Sequence, residues 1–424
     1  GKPILSGKVF NPTYVGHLRN TTELNAIQDV EVSGDYVYFV ASTGNTFGII
    51  DVSNPTSPVL EGYLTDATDL RTPQDVAVYG NYAYVTTGVS DAVAIIDISN
   101  PSDPVMVGNW DLGDDNVYDN PRYLTVSGNF VYATAYDSDS FVIIDVSEPT
   151  NPVMRSYVKD TTNILGPRSI AISGNYVYIV STGSDNIAVY DVSNPESPIL
   201  VDSFVDAVNM ENPYFIKVSG KYAYVVGYTG FSLAIVDISD PTSLSLEGSV
   251  VDSYSMNGAA TVTVAGSYVY VTGIDGNTVT IIDADDPADP VIVGVWTSHS
   301  TSVIDDPISV AVSGSYAYIA GFQSDSMAIL DIGGLEVSNV SAGQIKAGNF
   351  EVQQYAQFDQ DIVVHGGANI GHNAMIGGAL AITGSASSTI VAGTTTANFN
   401  PSLWVQSGKV IIGTSTMAVA TSTN

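Results

Sequence analysis

Between residues 27 and 331 the chain alternates short apolar runs with turn residues in a fixed order. In the stretch that starts at Asp75, "DVAVYGNYAYVTTGVSDAVAIIDISNPSDPVMVG", the runs DVAV, YAYVTT, AVAIID and PVMVG are set apart by turn residues such as GN, GVSD and SNPSD. Runs this short, rich in Val, Ile and Tyr and punctuated by Gly, Asn and Pro, read as antiparallel strands. Within each run the apolar character is nearly continuous, which predicts sheets covered on both faces.

The same order recurs seven times. Each unit has a glycine, an aromatic residue two and four positions later, and an aspartate seventeen positions later. The glycines are Gly34, Gly80, Gly128, Gly174, Gly220, Gly266 and Gly314, and the aspartates are Asp51, Asp97, Asp145, Asp191, Asp237, Asp283 and Asp331. Successive units lie 46 or 48 residues apart. Four strands in a unit of this length define a β-propeller blade. The seventh unit, "SVAVSGSYAYIAGFQSDSMAILDI", runs into "GGLEVSN" with no fourth strand, while a fourth strand without a blade, "VFNPTYVGHL", stands at residues 9–18. A ring cannot leave a sheet edge open without inviting pairing with other chains. We therefore expect an all-β, seven-bladed propeller over residues 9–334, closed by the N-terminal strand through Val9, Pro12, Tyr14, Val15 and Leu18. Residues 1–8 form an N-terminal extension and 335–424 a Gly/Ser/Thr-rich β tail.

The recurring "IIDVSNP" and "AIIDISNP" resemble the LVIVD-repeat family of bacterial and archaeal surface propellers, over about residues 9–332. The resemblance implies a propeller and an extracellular, cell-surface setting. It implies no single activity and carries over no catalytic residue, because the motif is structural.

Charge narrows the partners. The 424 residues include 44 acids and 12 bases, for a net charge of −32, which argues against nucleic acid or an anionic membrane as partner. With 45% hydrophobic and only 13% charged residues the chain has the means to build a core. It has no cysteine, hence no disulfide and no thiolate site, and no apolar run long enough for a membrane-spanning helix. It opens at Gly1 without an initiating Met, from which we expect that a leader segment has been removed.

The repeated residues read as scaffold. The paired aromatics, such as Tyr82 and Tyr84 or Tyr176 and Tyr178, with Phe130 replacing tyrosine once, belong between blades. Each repeated aspartate precedes an S-N-P type turn whose backbone N–H groups its carboxylate can accept. Residues that break the repeat are the candidates for function. On the inner strands, six before each glycine, stand Gln28, Gln74, Arg122, Arg168, Tyr214, Ala260 and Ile308, of which the first five are the candidate channel mouth. Glu31 and Lys217 add two charges further along the same strands. Arg122 and Arg168 have the chemistry to hold an anion, although a salt bridge to acidic loops is the plainer expectation for them.

No catalytic residues are assigned. His17, His299, His365 and His372 have no metal-ligand spacing, and there is no G-x-S-x-G elbow or phosphate loop. A deep channel pocket with a strongly perturbed acid would be the sign of an enzyme. Antiparallel order gathers the inter-blade loops and the loops between second and third strands on one, strongly acidic face. There Asp91, Asp137, Asp139, Asp185, Asp275 and Asp325 are the candidate ligands for Ca²⁺, with a solvated surface as the plainer reading.

The tail differs. Val364, Ile370, Ile376 and Ile382 recur six apart, as in hexapeptide β-helices, and "SLWVQSGKVIIGTST" resembles repeats of phage tail fibres and bacterial surface fibres. Low charge and β-rich runs at Ile362, Val363, Val364, Ile370, Ile376, Ile382, Trp404, Val410, Ile411 and Ile412 predict self-association, as a filament or a trimeric stalk. The functional expectation is a non-enzymatic extracellular structural or adhesive protein that assembles with itself and meets a host-surface or glycan ligand. The alternative is a calcium- or ligand-binding propeller on a trimeric stalk.

Overall fold

A computed structural model describes residues 12–111, 117–298 and 300–333 of the chain. Val9 of the closing segment lies outside the described residues, as do all the tail positions named above from Ile362 to Ile412.

The described residues form twenty-eight strands in seven four-stranded antiparallel sheets. The inner strands, which line the axis, are Ile27–Ser33, Pro73–Tyr79, Pro121–Ser127, Pro167–Ser173, Pro213–Ser219, Ala259–Ala265 and Pro307–Ser313. Six blades are continuous in sequence. The seventh takes its outermost strand, Thr13–Arg19, from the N-terminus, paired with Ser326–Asp331 in a register that sets Thr13 against Asp331 and Arg19 against Ser326. Val15 and Leu18 pack on the core between blades seven and one, Tyr14 stands exposed, and Pro12 is buried just ahead of the strand.

Each sheet divides its side chains between two cores, which is why the runs are apolar throughout. In blade one, Val37, Phe39 and Ile50 face blade seven, where they meet Tyr318, Met327 and Ile329. The intervening Tyr38, Val40, Phe47 and Ile49 face Ala83, Val85, Ala94 and Ile96 of blade two. The second aromatic of every repeat is buried in such a seam, from Tyr38 to Tyr318, and the first is half-buried. All seven repeated aspartates cap their turns. Asp51, Asp97, Asp145 and Asp191 accept the N–H of Ser53, Ser99, Ser147 and Ser193 at 2.8–2.9 Å, and Asp237, Asp283 and Asp331 do the same for Ser239, Asp285 and Gly333.

Polar ties also join the blades. Eleven residues after each repeat glycine the backbone enters the left-handed region, at Asn45, Asp91, Asp139, Asp185, Phe231, Asn277 and Asp325, with φ between 48° and 52°. Six of these side chains accept the N–H of the residue just before the next inner strand. Asn45 takes Thr72, Asp91 Asn120, Asp139 Gly166, Asp185 Asn212, Asn277 Asp306 and Asp325 Ala26, at 2.8–3.0 Å. The recipients are themselves left-handed, with φ from 53° to 61°. Asn and Asp tolerate that conformation better than other side-chain-bearing residues, and they carry the acceptor that satisfies the turning chain. Asp325 to Ala26 makes the tie from blade seven to blade one, so the seam where the ring closes is built like the others.

Asparagine serves this role at two junctions. Asp325→Asn should therefore leave the unfolding free energy within about 0.5 kcal/mol, whereas Asp325→Ala should cost about 1–2 kcal/mol through the lost bond and the left-handed backbone. Denaturant midpoints of the two variants check this.

Candidate functional site

The axis carries two chemically opposite regions. At the inter-blade-loop end, the second residues of the inner strands of blades three, four and five, Arg122, Arg168 and Tyr214, line the mouth. Thr86 and Thr134 fix two of these strands by donating to the carbonyls of Arg122 and Arg168 at 2.9 and 2.8 Å, each from the preceding blade. The two guanidinium groups, from blades three and four, thus stand side by side. Arg122 Nη1 donates to Gln74 Oε1 at 3.0 Å, and its carbon lies 5.5 Å from the centre of the Tyr136 ring. Arg168 stacks on Tyr214 at 3.6 Å and lies 5.7 Å from Tyr136. Tyr214 in turn stacks on Tyr228, with centroids 5.1 Å apart and an angle of 28°. Gln28, the fifth sequence candidate, is not in the wall of the mouth and donates to Ser42 Oγ at 2.9 Å.

The expected salt bridge is not found among the described residues, which leave out residues 112–116 of one acidic loop. Among the described residues neither arginine lies within 4.0 Å of a carboxylate, and the Nε atoms of both are buried without a hydrogen-bond partner. Burial, and then the like charge of Arg168, push the Arg122 guanidinium below its ordinary value. Of the described loop acids, Asp91, Asp139, Asp185 and Asp325 are committed to the junction ties and Asp137 to the Asn120 amide at 2.9 Å. A cavity of about 570 Å³ opens over the pair, lined by both arginines, Tyr136, Thr182, Asn212, Tyr214 and Tyr228. Beneath it the axis narrows to a void of about 30 Å³ between Gln28, Gln74, Tyr123 and the arginines.

Below that constriction lies a second cavity of about 310 Å³ with acidic walls. Inner strands are sheet edges, and several of their axial N–H groups are satisfied by a side chain of the previous blade. Ser309 accepts Val30 N–H at 3.3 Å and donates to Asp29 Oδ1 at 2.7 Å. Asp29 Oδ2 accepts Val76 N–H at 3.2 Å, Asp75 Oδ2 accepts Leu124 N–H at 2.8 Å, and Glu31 Oε2 accepts Val78 N–H at 2.7 Å. Asp29 and Asp75 are buried and bonded to each other. Desolvation raises both, and two carboxyls this close and this buried share one proton and one charge as a pair. Desolvation also pushes Glu31 up to about 7, against its bond from Val78 N–H and the through-space pull of Lys217. A deep pocket with perturbed acids is therefore present, but most of the Asp29 and Asp75 oxygens are occupied in tying blades seven, one, two and three together.

Of the candidate calcium ligands, Asp91, Asp139, Asp185 and Asp325 are junction ties, Asp137 holds Asn120, and Asp275 lies against the backbone of Gly258. Among the described residues no group of three His, Cys, Asp or Glu is placed to hold a metal ion. The sequence reading missed Asp29, Asp75, Tyr136 and Tyr228. All four interrupt the repeat: the two aspartates stand where later blades have Tyr, Ser, Phe or Thr, and the two tyrosines where other blades have Ser, Gly, Thr, Ile or Phe.

Comparison with known proteins agrees with this geometry. The LVIVD repeat model matches residues 26–66, 71–112, 121–160, 167–206, 215–252, 258–297 and 306–347, and the chain belongs to that family. No curated protein matches the sequence. A functionally unknown protein from Desulfotomaculum acetoxidans is similar with a TM-score of 0.59 at 16% identity, over 71% of this chain and 93% of that one. Kuenenia stuttgartiensis hydrazine synthase gives 0.56 at 17%, over 74% and 97%. The periplasmic gluconolactonase of Pseudomonas aeruginosa gives 0.53 at 12%, over 64% and 86%. At these identities the likeness shows the propeller alone.

The raised carboxyl at Glu31 has a signed consequence. The folded chain keeps this proton where the unfolded chain, with an ordinary value of 4.5, has released it. Its contribution to stability is thus full below pH 4.5 and is lost as the pH rises to about 7. Glu31→Gln keeps an acceptor for Val78 N–H and removes the titration. Relative to the unmodified chain it should gain stability progressively between pH 4.5 and 7, which thermal unfolding across that range will show.

Proposed function

We propose that this chain is a non-enzymatic binding propeller that takes an anionic ligand at its arginine mouth, as the adhesive element of an extracellular surface protein. One observation carries the reading. On a chain with 44 acids, two adjacent guanidinium groups stand in an aromatic-walled cavity with no carboxylate partner among the described residues. Leaving two like charges together and half-desolvated costs stability, and an anion bound across both would offset that cost. The extracellular setting follows the repeat family, and the assembly role of residues 335–424 rests on their apolar spacing and low charge.

A second reading, catalysis in the channel, is favoured by Glu31, whose carboxyl near pH 7 lies in the wall of the 310 Å³ cavity. It requires a turnover activity that Glu31→Gln abolishes while binding at the mouth persists.

The chain has five arginines, so selective ¹⁵N labelling gives five Nε–H signals. Titration with acetate or inorganic phosphate should move those of Arg122 and Arg168 saturably. Arg122→Gln should weaken the effect about tenfold or more, as expected for loss of a charge-assisted hydrogen bond. Signals that stay in place with every anion would refute the reading. For the tail, deletion of residues 336–424 should leave a folded monomer with unchanged β content, measured by circular dichroism and sedimentation, whereas the full chain assembles.

A further inference from the structure

We infer that the arginine mouth is selective for an acidic sugar, a hexuronate bound through its carboxylate with the ring against tyrosine. This rests on the reading of the mouth as an anion site and adds the chemical class of the anion.

Three features of the cavity narrow that class. The first is charge. Among the described residues two guanidinium groups are the only cations in the wall, and acids lie near them. Asp137 bears on Arg122, and Asp275 and Asp306 bear on Tyr228. The whole chain adds −32. A monoanion is attracted by the pair and little opposed by the rim. For a phosphate dianion the attraction to the pair and the repulsion from the rim both double, but the cost of stripping its water grows with the square of the charge, so a half-dry cavity favours the monoanion. A planar carboxylate also matches the guanidinium fork, and two adjacent forks present donors to both of its oxygens.

The second feature is the wall. Tyr136 lies beside both arginines, while Tyr214 is taken up by Arg168 at 3.6 Å and by the stacked Tyr228, so the rings the wall can offer a ligand are Tyr136 and Tyr228. Ring faces in such positions pack against the C–H face of a sugar ring as well as against other apolar surfaces. The third feature separates a sugar from a plain alkyl or aromatic acid. The hydroxyls of Tyr136, Tyr214 and Tyr228 and the Asn212 side-chain amide make no hydrogen bond to other described residues. The Thr182 hydroxyl donates to Gly166 O at 3.2 Å and keeps its lone pairs free. Unfilled donors and acceptors around a carboxylate site favour a ligand that carries several hydroxyls, and they penalise one that would cover them with apolar surface. A cavity of about 570 Å³ is in the size range of small-ligand sites and has room for one sugar or the end of a short chain.

The test uses the full-length chain with ¹⁵N-labelled arginine, titrated in parallel with glucuronate, glucose, acetate and glucose 6-phosphate. We expect saturable shifts of the Arg122 and Arg168 Nε–H signals with glucuronate, at an affinity at least tenfold above acetate and above glucose 6-phosphate, and none with glucose. Arg168→Lys keeps the charge but loses the fork and the 3.6 Å stack on Tyr214, and should weaken glucuronate at least tenfold with the thermal midpoint little changed. Equal affinity for acetate and glucuronate would overturn the sugar inference while leaving the anion site standing. Tighter binding of glucose 6-phosphate would overturn it in favour of a phosphate ligand. Silence with all anions would remove both the inference and the reading beneath it.

Discussion

Burial of both faces of every sheet is the constraint from which the rest of this structure follows. A four-stranded blade with Val37, Phe39 and Ile50 on one side and Tyr38, Val40 and Ile49 on the other has no side it can leave to water. Each blade therefore needs two neighbours, and only a closed ring gives them to all seven. The N-terminal strand returns to blade seven for that reason: Val15 and Leu18 cover the core shared by blades seven and one, and the register from Thr13 to Arg19 removes the edge of Ser326–Asp331. Hydrophobic burial fixes the need for closure, but it is non-directional. The angle between blades is held by directional bonds, in particular the Asn and Asp ties that meet a left-handed backbone at six of the seven junctions.

The same constraint explains where chemistry is possible. Residues that repeat in every blade are consumed by packing and capping, so variation is confined to the axis and the loop ends, where seven different side chains meet. There the two ends of the channel diverge in sign. Toward one face, acids on the inner strands of blades one and two capture the edge N–H groups of the next blade, and their proximity forces Asp29 and Asp75 to share a proton. Toward the other, arginines from blades three and four lie against tyrosine rings with no carboxylate between them. Tyr123, packed edge-on against Phe215 with centroids 5.2 Å apart, sits between the two regions. The opposite charges are thus kept from neutralising each other, which leaves the arginine pair available to something from outside.

An acidic surface around a basic mouth is a filter as well as a lure. The carboxylates that looked like a calcium site are mostly bonded to backbone or amide groups of the neighbouring blade, so their number does not translate into free ligands. What they supply at the mouth is a repulsive rim that offsets part of the pull of the arginines, and the larger desolvation cost of a multiply charged anion then weighs in favour of a single carboxylate.

The sequence by itself determined the strands, the number of blades, the capped turns and the closing strand. Each of these rests on a short-range pattern or on a count: the seventeen-residue spacing, the apolar runs, and one fourth strand too few at residue 331 with one to spare at residue 13. It also marked Arg122, Arg168, Gln74 and Tyr214 as breaks in the repeat, and it raised Asp91, Asp139, Asp185 and Asp325 as loop acids. What those side chains do was decided only in three dimensions. Asp91 reaches the N–H of Asn120, twenty-nine positions on, and Asp325 that of Ala26, 299 positions back, distances over which no local periodicity survives. Asp29 meets Ser309 across 280 residues, and Tyr228 enters the arginine cavity from a different blade than either arginine. A repeat specifies the blade; the meeting of unlike residues from different blades belongs to the ring, because only closure brings them to one axis.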